Sequence, residues 1–190
     1  PTRRSSDLLL DSMAAPVPIG CDGLLMLPHL MGAGSPEFDD KIKGAFYGIT
    51  PAMGRGHFIR AILESVAYMI MNNLQVLQNA GLAIEEIRAL GGGARSDLWT
   101  QINADSTGIP FITFRSAEPA SLGAAILAGV GSGVYENLEE GCHHLVRVNR
   151  RYTPEATATA VYANLFRRYQ KLYQTLAPFC RQELVCSDSL

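Results

Sequence analysis

The sequence is poor in cysteine. Its four cysteines, Cys21, Cys142, Cys180 and Cys186, are scattered along 190 residues with no CxxC spacing. That argues against a disulfide framework and a paired-cysteine zinc site, and points to a reducing, cytoplasmic compartment. A charge surplus is also lacking: 16 basic against 18 acidic residues leave −2. No basic field therefore marks nucleic acid or an anionic membrane as a partner. Long apolar runs are missing, and a membrane-spanning helix needs about 20 such residues. Leu8, Leu9 and Leu10 run directly into Asp11, so no signal peptide is expected. Nor is there a visible Ser/His/Asp or Cys/His arrangement for nucleophilic catalysis. Asp39 and Asp40 are adjacent in a loop, and nothing marks them as an acid/base pair.

Hydrophobic residues make up 47% and charged residues 18%, a globular composition of single-domain length. Residues 1–8, PTRRSSDL, match one reading frame of a common sequencing-adapter end. They are expected to be foreign, and the chain to be the tail of a longer protein. Residues 9–22, with Pro16, Pro18 and Gly20, read as a connector, residues 23–179 as the domain and 180–190 as a loose tail.

Within the domain, Gly23–Leu30 reads as a buried strand broken at Pro28, residues 31–40 as a loop and 41–49 as mixed. The spacing predicts a long helix over Thr50–Ala80, with Pro51 in its first turn and Gly81 ending it. Its apolar stripe runs through Phe58, Ala61, Ile62, Ser65, Val66, Met69, Ile70, Asn73, Leu74 and Leu77. Glu86–Leu90 is a strand. Ser96 and Asp97 suit the start of a helix to about Ser106, which Gly108 stops. Ile109–Phe114 is another strand, and Pro119 opens a helix of small residues. Residues 134–151 read as irregular. Tyr152–Ala177 is a last amphipathic helix, striped by Val161, Leu165, Phe166, Tyr169, Leu172, Tyr173 and Leu176. Strands alternating with helices imply an α/β layered fold.

The chemistry concentrates at GGGARSD, Gly91–Asp97, between a strand and a helix. Glycines let the chain turn tightly and let a ligand approach the backbone. The helix start that follows offers unpaired N–H groups and the positive end of the dipole. This suits a nucleotide; a plain tight turn is the alternative. Ser96 stands where a Rossmann fingerprint needs its third glycine, and no Walker lysine follows. Elsewhere, Cys142, His143 and His144 have no second ligand pair at a spacing that would complete a zinc site. Arg60 and Glu64 are spaced for an i,i+4 ion pair. His29 and His57 stand singly, and packing or surface roles are expected for them.

Three segments in order carry a resemblance. GAFYGITPAMGRGHFIRAILE, Gly44–Glu64, resembles the C-terminal signature of the FGGY carbohydrate kinases. GGGARSDLWTQINADSTGIP, Gly91–Pro110, is similar to that family's nucleotide loop and helix, and EPASLGAAILAG, Glu118–Gly129, to its small-residue helix. The ending RRYQKLYQTLAPF resembles xylulokinase tails. The resemblance implies a ribonuclease-H-like domain of the actin/Hsp70 ATPase type, incomplete at its opening strands. It implies an ATP-dependent kinase acting on a carbohydrate hydroxyl, with Mg²⁺ bound mainly outside this chain. A catalytic aspartate and most sugar contacts would belong to an N-terminal domain, and none of this chain's aspartates matches that motif. The chain alone is therefore expected not to phosphorylate sugar. Carried over by position, Gly92, Gly93 and Ala94 line the adenine with backbone, Asp97 offers a side chain at the purine, and Gly91 serves the turn. Residues 32–36 read GAGSP where xylulokinases often carry Gly-Glu-Arg-Thr-Pro. The sugar stays open on that ground: xylulose first, then other ketoses, polyols or glycerol. Family likeness also suggests a homodimer. A non-catalytic actin-like ATP-binding module or regulator is the alternative.

Overall fold

The computed structural model describes residues 3–116 and 118–182, with the backbone alone for residues 3–8. Pro1, Thr2, Cys186 and the last part of the expected tail lie outside the described residues. Helix α1 (Arg3–Ala14) takes up residues 9–14, which were expected as connector. Tertiary packing explains the difference: Ala14 is fully buried. The end of α1 also closes on the start of the long helix at Gly56, where a Cβ would collide with the Met13 carbonyl oxygen.

Strand β1 (Leu25–Leu27) is buried throughout and stops before Pro28, which has no N–H to continue a ladder. It pairs antiparallel with β2 (Ala45–Tyr47), a strand inside the stretch read as mixed. Helix α2 (Arg55–Asn79) begins later than expected. Pro51 lies in the turn before it, and Gly54 is its N-cap, donating its N–H to His57 Nδ1 at 3.1 Å. Gly81, at φ +84°, follows its end as expected.

The buried face of α2 differs from the apolar stripe. Arg60, Ala61, Glu64, Ser65, Ala67 and Tyr68 are buried, whereas Ile62 and Leu77 are exposed. A buried charged pair occupies ground where hydropathy alone would place aliphatic side chains. Glu64 accepts from Arg60 Nε at 2.9 Å, from Tyr162 OH at 3.2 Å and from Tyr68 OH at 3.3 Å. Cys21 Sγ donates to it at 3.7 Å, and burial, then Glu64, pushes the thiol far up, so it stays protonated. Because every partner is satisfied, the charge can be buried.

Strand β3 (Ile87–Arg88) leads to helix α3 (Asp97–Thr107), which ends at Gly108, φ +69°. Strand β4 (Phe111–Phe114) returns parallel to β3. Helix α4 (Pro119–Gly131) follows. The stretch 134–151, expected to be irregular, contains helix α5 (Leu138–Leu145) and most of strand β5 (Val148–Tyr152). Strand β5 pairs antiparallel with β4, giving the order β3-β4-β5. Helix α6 (Ala156–Gln182) starts after Tyr152 and continues through Pro178. Burial of Ala177 and a 2.8 Å bond from Arg181 Nη2 to Asp39 Oδ2 hold that final turn despite the missing proline N–H.

The main core lies between α2, α6 and β1. It gathers Leu27, Ile42, Tyr68, Tyr162, Phe166 and Tyr169. Val161, expected on the inner stripe of α6, is 45% exposed, and Tyr162 takes the inner position. Burying each such large side chain contributes roughly 1.5–3 kcal/mol.

Candidate functional site: a glycine turn facing a cleft

The turn between β3 and α3 is built from conformations its residues accept. Gly91 sits at φ +82°, in the left-handed region where a side chain would be strained. Gly92 is right-handed at φ −63°, ψ −42°, and Gly93–Arg95 form one 3-10 turn. Ser96 caps α3, its Oγ accepting from Trp99 N at 3.0 Å. Behind the turn lies the Trp99 ring. A Cβ on Gly93 would meet its Cζ3 at 2.8 Å, so packing against Trp99 requires glycine there. The indole N–H donates to the Leu63 carbonyl at 3.1 Å, which fixes the ring to α2.

Asp97 opens α3. Its Oδ2 accepts from Arg150 Nη1 at 2.9 Å, and its Oδ1 accepts from the Tyr152 hydroxyl. Tyr152 is 3% exposed, and the Arg150 guanidinium lies 4.8 Å from its ring centroid. Burial, then the Asp97 carboxylate, pushes the Tyr152 hydroxyl above its ordinary value, so it remains a donor.

In front of the turn opens a cleft of about 410 Å³. Gly91, Ala94 and Asp97 line it from the turn side. Phe114 at the end of β4, Arg115 and Ser116 just after it, and Asn149 from β5 also line it. Gly92 and Gly93 belong to the turn but are not among the lining residues; a Cβ on Gly92 would meet nothing within 4 Å. The size lies within the roughly 300–1,000 Å³ range of small-molecule sites. Its composition fits a nucleotide: backbone and small residues admit a flat base, while Arg95 and Arg115 favour anionic groups. The glycine-rich spacing located the turn. Phe114, Arg115, Ser116, Asn149, Arg150 and Tyr152 come from other elements and carried no local signal.

The remaining candidates have structural partners. Asp39 binds the Lys41 and Ile42 N–H groups and Arg181. Burial raises its carboxyl, but these bonds outweigh burial and leave it below the ordinary value. Loop residues Ser35 and Glu37 bond Asn73 and Asn72 of α2. His29 is buried and shares a 3.2 Å hydrogen bond with Tyr169, and burial lowers its pKa. His57 pairs with Asp22 at 3.0 Å. His144 stacks on Tyr135. Among the described residues, no three metal-ligating side chains gather, and no helix is long and apolar enough to cross a membrane.

The fold and this strand–turn–helix site define an α/β domain of the actin/Hsp70 ATPase type. Residues 3–132 match the C-terminal domain of the FGGY family of carbohydrate kinases, and the chain belongs to that family. It is 34% identical over 169 residues to the xylulose kinase of Bacillus subtilis (strain 168), covering 89% of this chain and 34% of that protein. It is 35% identical over 153 residues to a glycerol kinase of Aromatoleum aromaticum, covering 80% of this chain and 30% of that protein. The crystal structure of xylulose kinase from Rhodospirillum rubrum superposes with a TM-score of 0.81 at 34% identity, covering 95% of this chain and 36% of that one. The chain thus spans about a third of the length of the curated relatives it matches.

Proposed function

We propose that this chain supplies the nucleotide-binding part of an ATP-dependent carbohydrate kinase, which moves the γ-phosphoryl group of ATP to a sugar hydroxyl. The observation that carries the reading is the cleft at Gly91–Asp97 in a chain of this family. Gly91 and Ala94, which line the cleft, present backbone to the base, and Gly92 and Gly93 shape the turn between them. Asp97 stands at the edge of the site, and Arg95 and Arg115 favour the phosphates. Phosphoryl transfer is largely positioning and charge stabilisation, so a rigid nucleotide seat is itself a catalytic contribution. The proton-accepting aspartate is assigned to the rest of the kinase. Mg²⁺ spreads the phosphate charge when bound, and no residue of this chain is assigned to it.

Xylulose leads among acceptors, with related ketoses, polyols and glycerol behind it. The xylulose kinase of Bacillus subtilis aligns with more of the chain than the glycerol kinase does. The same reading places the protein in the cytoplasm, partnered by an N-terminal kinase domain and expected as a homodimer. Isothermal titration of ATP into this chain tests the nucleotide seat. Saturable binding without sugar turnover is expected, and absence of binding at millimolar ATP overturns the reading. A panel of xylulose, other ketoses and glycerol, assayed with the intact kinase, tests the acceptor.

A further inference from the structure

We propose that Arg150 and Tyr152 are positioning residues for the nucleotide turn, holding Asp97 as a neutralised anchor so that the cleft presents positive charge to phosphates. The inference rests on the nucleotide reading of the cleft.

Residues 150 and 152 lie two apart on one strand, so their side chains leave the same face of β5. Each takes a different oxygen of the same carboxylate: Tyr152 binds Oδ1 and Arg150 binds Oδ2. Tyr152 is held in turn by burial and by its pairing opposite Phe111. Arg150 is held over the Tyr152 ring, where its cation meets the electron-rich face. The Asp97 side chain is 71% exposed, yet both oxygens are engaged. A freely rotating carboxylate available to a ligand would not be fastened from two sides.

The charge arrangement gives the clamp a role beyond tethering. Arg95, Arg115 and Asp97 line the cleft, and Arg95 also lies 3.6 Å from Glu118. Arg150 cancels the negative charge closest to the turn. Without it, the Asp97 carboxylate faces the ligand uncompensated and repels a triphosphate more than an uncharged nucleoside.

The test uses this chain with Arg150→Met, Asp97→Asn and the double variant, titrated calorimetrically with ATP and with adenosine at low ionic strength. R150M is expected to weaken ATP about three- to fivefold, as for a solvent-facing ion pair, and adenosine less than about twofold. Asp97→Asn added to R150M is expected to return ATP to within about twofold of the wild type, because it removes the unpaired charge. Equal losses for the two ligands, or no recovery in the double variant, overturn the proposal. If R150M loses its cooperative thermal transition, Arg150→Lys serves instead. It keeps the charge and is expected to keep the wild-type ATP-to-adenosine ratio; a changed ratio overturns the proposal. A wild-type chain that binds neither ligand overturns the nucleotide reading itself. Wild-type binding with unchanged variants overturns the anchor alone.

Discussion

Both carboxylate oxygens of Glu64 accept the backbone N–H of Gly20, at 3.1 and 3.2 Å. That contact joins the middle of α2 to the segment entering β1. The same carboxylate holds Arg60 and two core tyrosines, so one side chain fastens three parts of the fold.

Glu64→Ala is expected to destabilise the chain by about 3–5 kcal/mol, because it leaves Arg60 buried and unpaired. Urea unfolding reads this out. Replacing both partners together by Met is expected to cost less than Glu64→Ala alone, since no buried charge is then stranded. A double variant as unstable as the single one contradicts the pairing.

At Gly93, alanine is expected to cost about 1–3 kcal/mol, because its Cβ collides with the Trp99 ring. Gly93→Val is expected to abolish ATP binding by displacing the turn. Thermal unfolding separates this from simple blockage of the site. Lost ATP binding with unchanged stability would mean that the methyls fill ligand space rather than ring space.

Gly91 and Gly92 should respond in opposite ways. Gly91→Ala is expected to cost about 1–2 kcal/mol, from the left-handed φ alone. Gly92→Ala meets open space at an ordinary right-handed conformation and is expected to leave stability unchanged or raise it by about 0.4–1 kcal/mol. Its ATP affinity is expected to stay close to the wild-type value, because Gly92 does not line the cleft. Calorimetry beside chemical unfolding checks both halves.

Acid should weaken the fold in two stages. Burial lowers the pKa of His29, so the unfolded chain takes up its proton more readily than the folded one. Stability is then full above the ordinary histidine value of 6.5 and declines as pH falls below it. His29→Phe is expected to flatten this stage. Asp39 is held below its ordinary value of 3.8, so its contribution is present above that value. It is lost as pH falls further, through the lowered folded value. Unfolding midpoints measured from pH 8 down to about pH 2 check both stages.

The starts of α3 and α4, the glycine stops and the buried aliphatic strands were legible because each has a local cause, whereas α2 and α6 start later than their patterns suggest. Ser96 caps α3 through its hydroxyl, and Gly108 ends it in the left-handed conformation that glycine accepts. β5 was not legible because four of its five residues are exposed and only Tyr152 is buried, so no apolar alternation marks it. In α5, eight residues with Gly141 inside are too few for a periodic signal. On α2, the buried Arg60–Glu64 pair turned the inner face away from the hydropathy stripe. The glycine turn of the site could be read locally. Its other lining residues and the clamp on Asp97 could not, because β4 and β5 bring them from distant parts of the chain.

Trp99 is the only tryptophan of the chain. Because its ring lies directly behind the glycine turn, the protein carries its own single-site optical probe there. Indole emission can report any movement of that turn, without an attached dye and without a second fluorophore of the same kind to subtract.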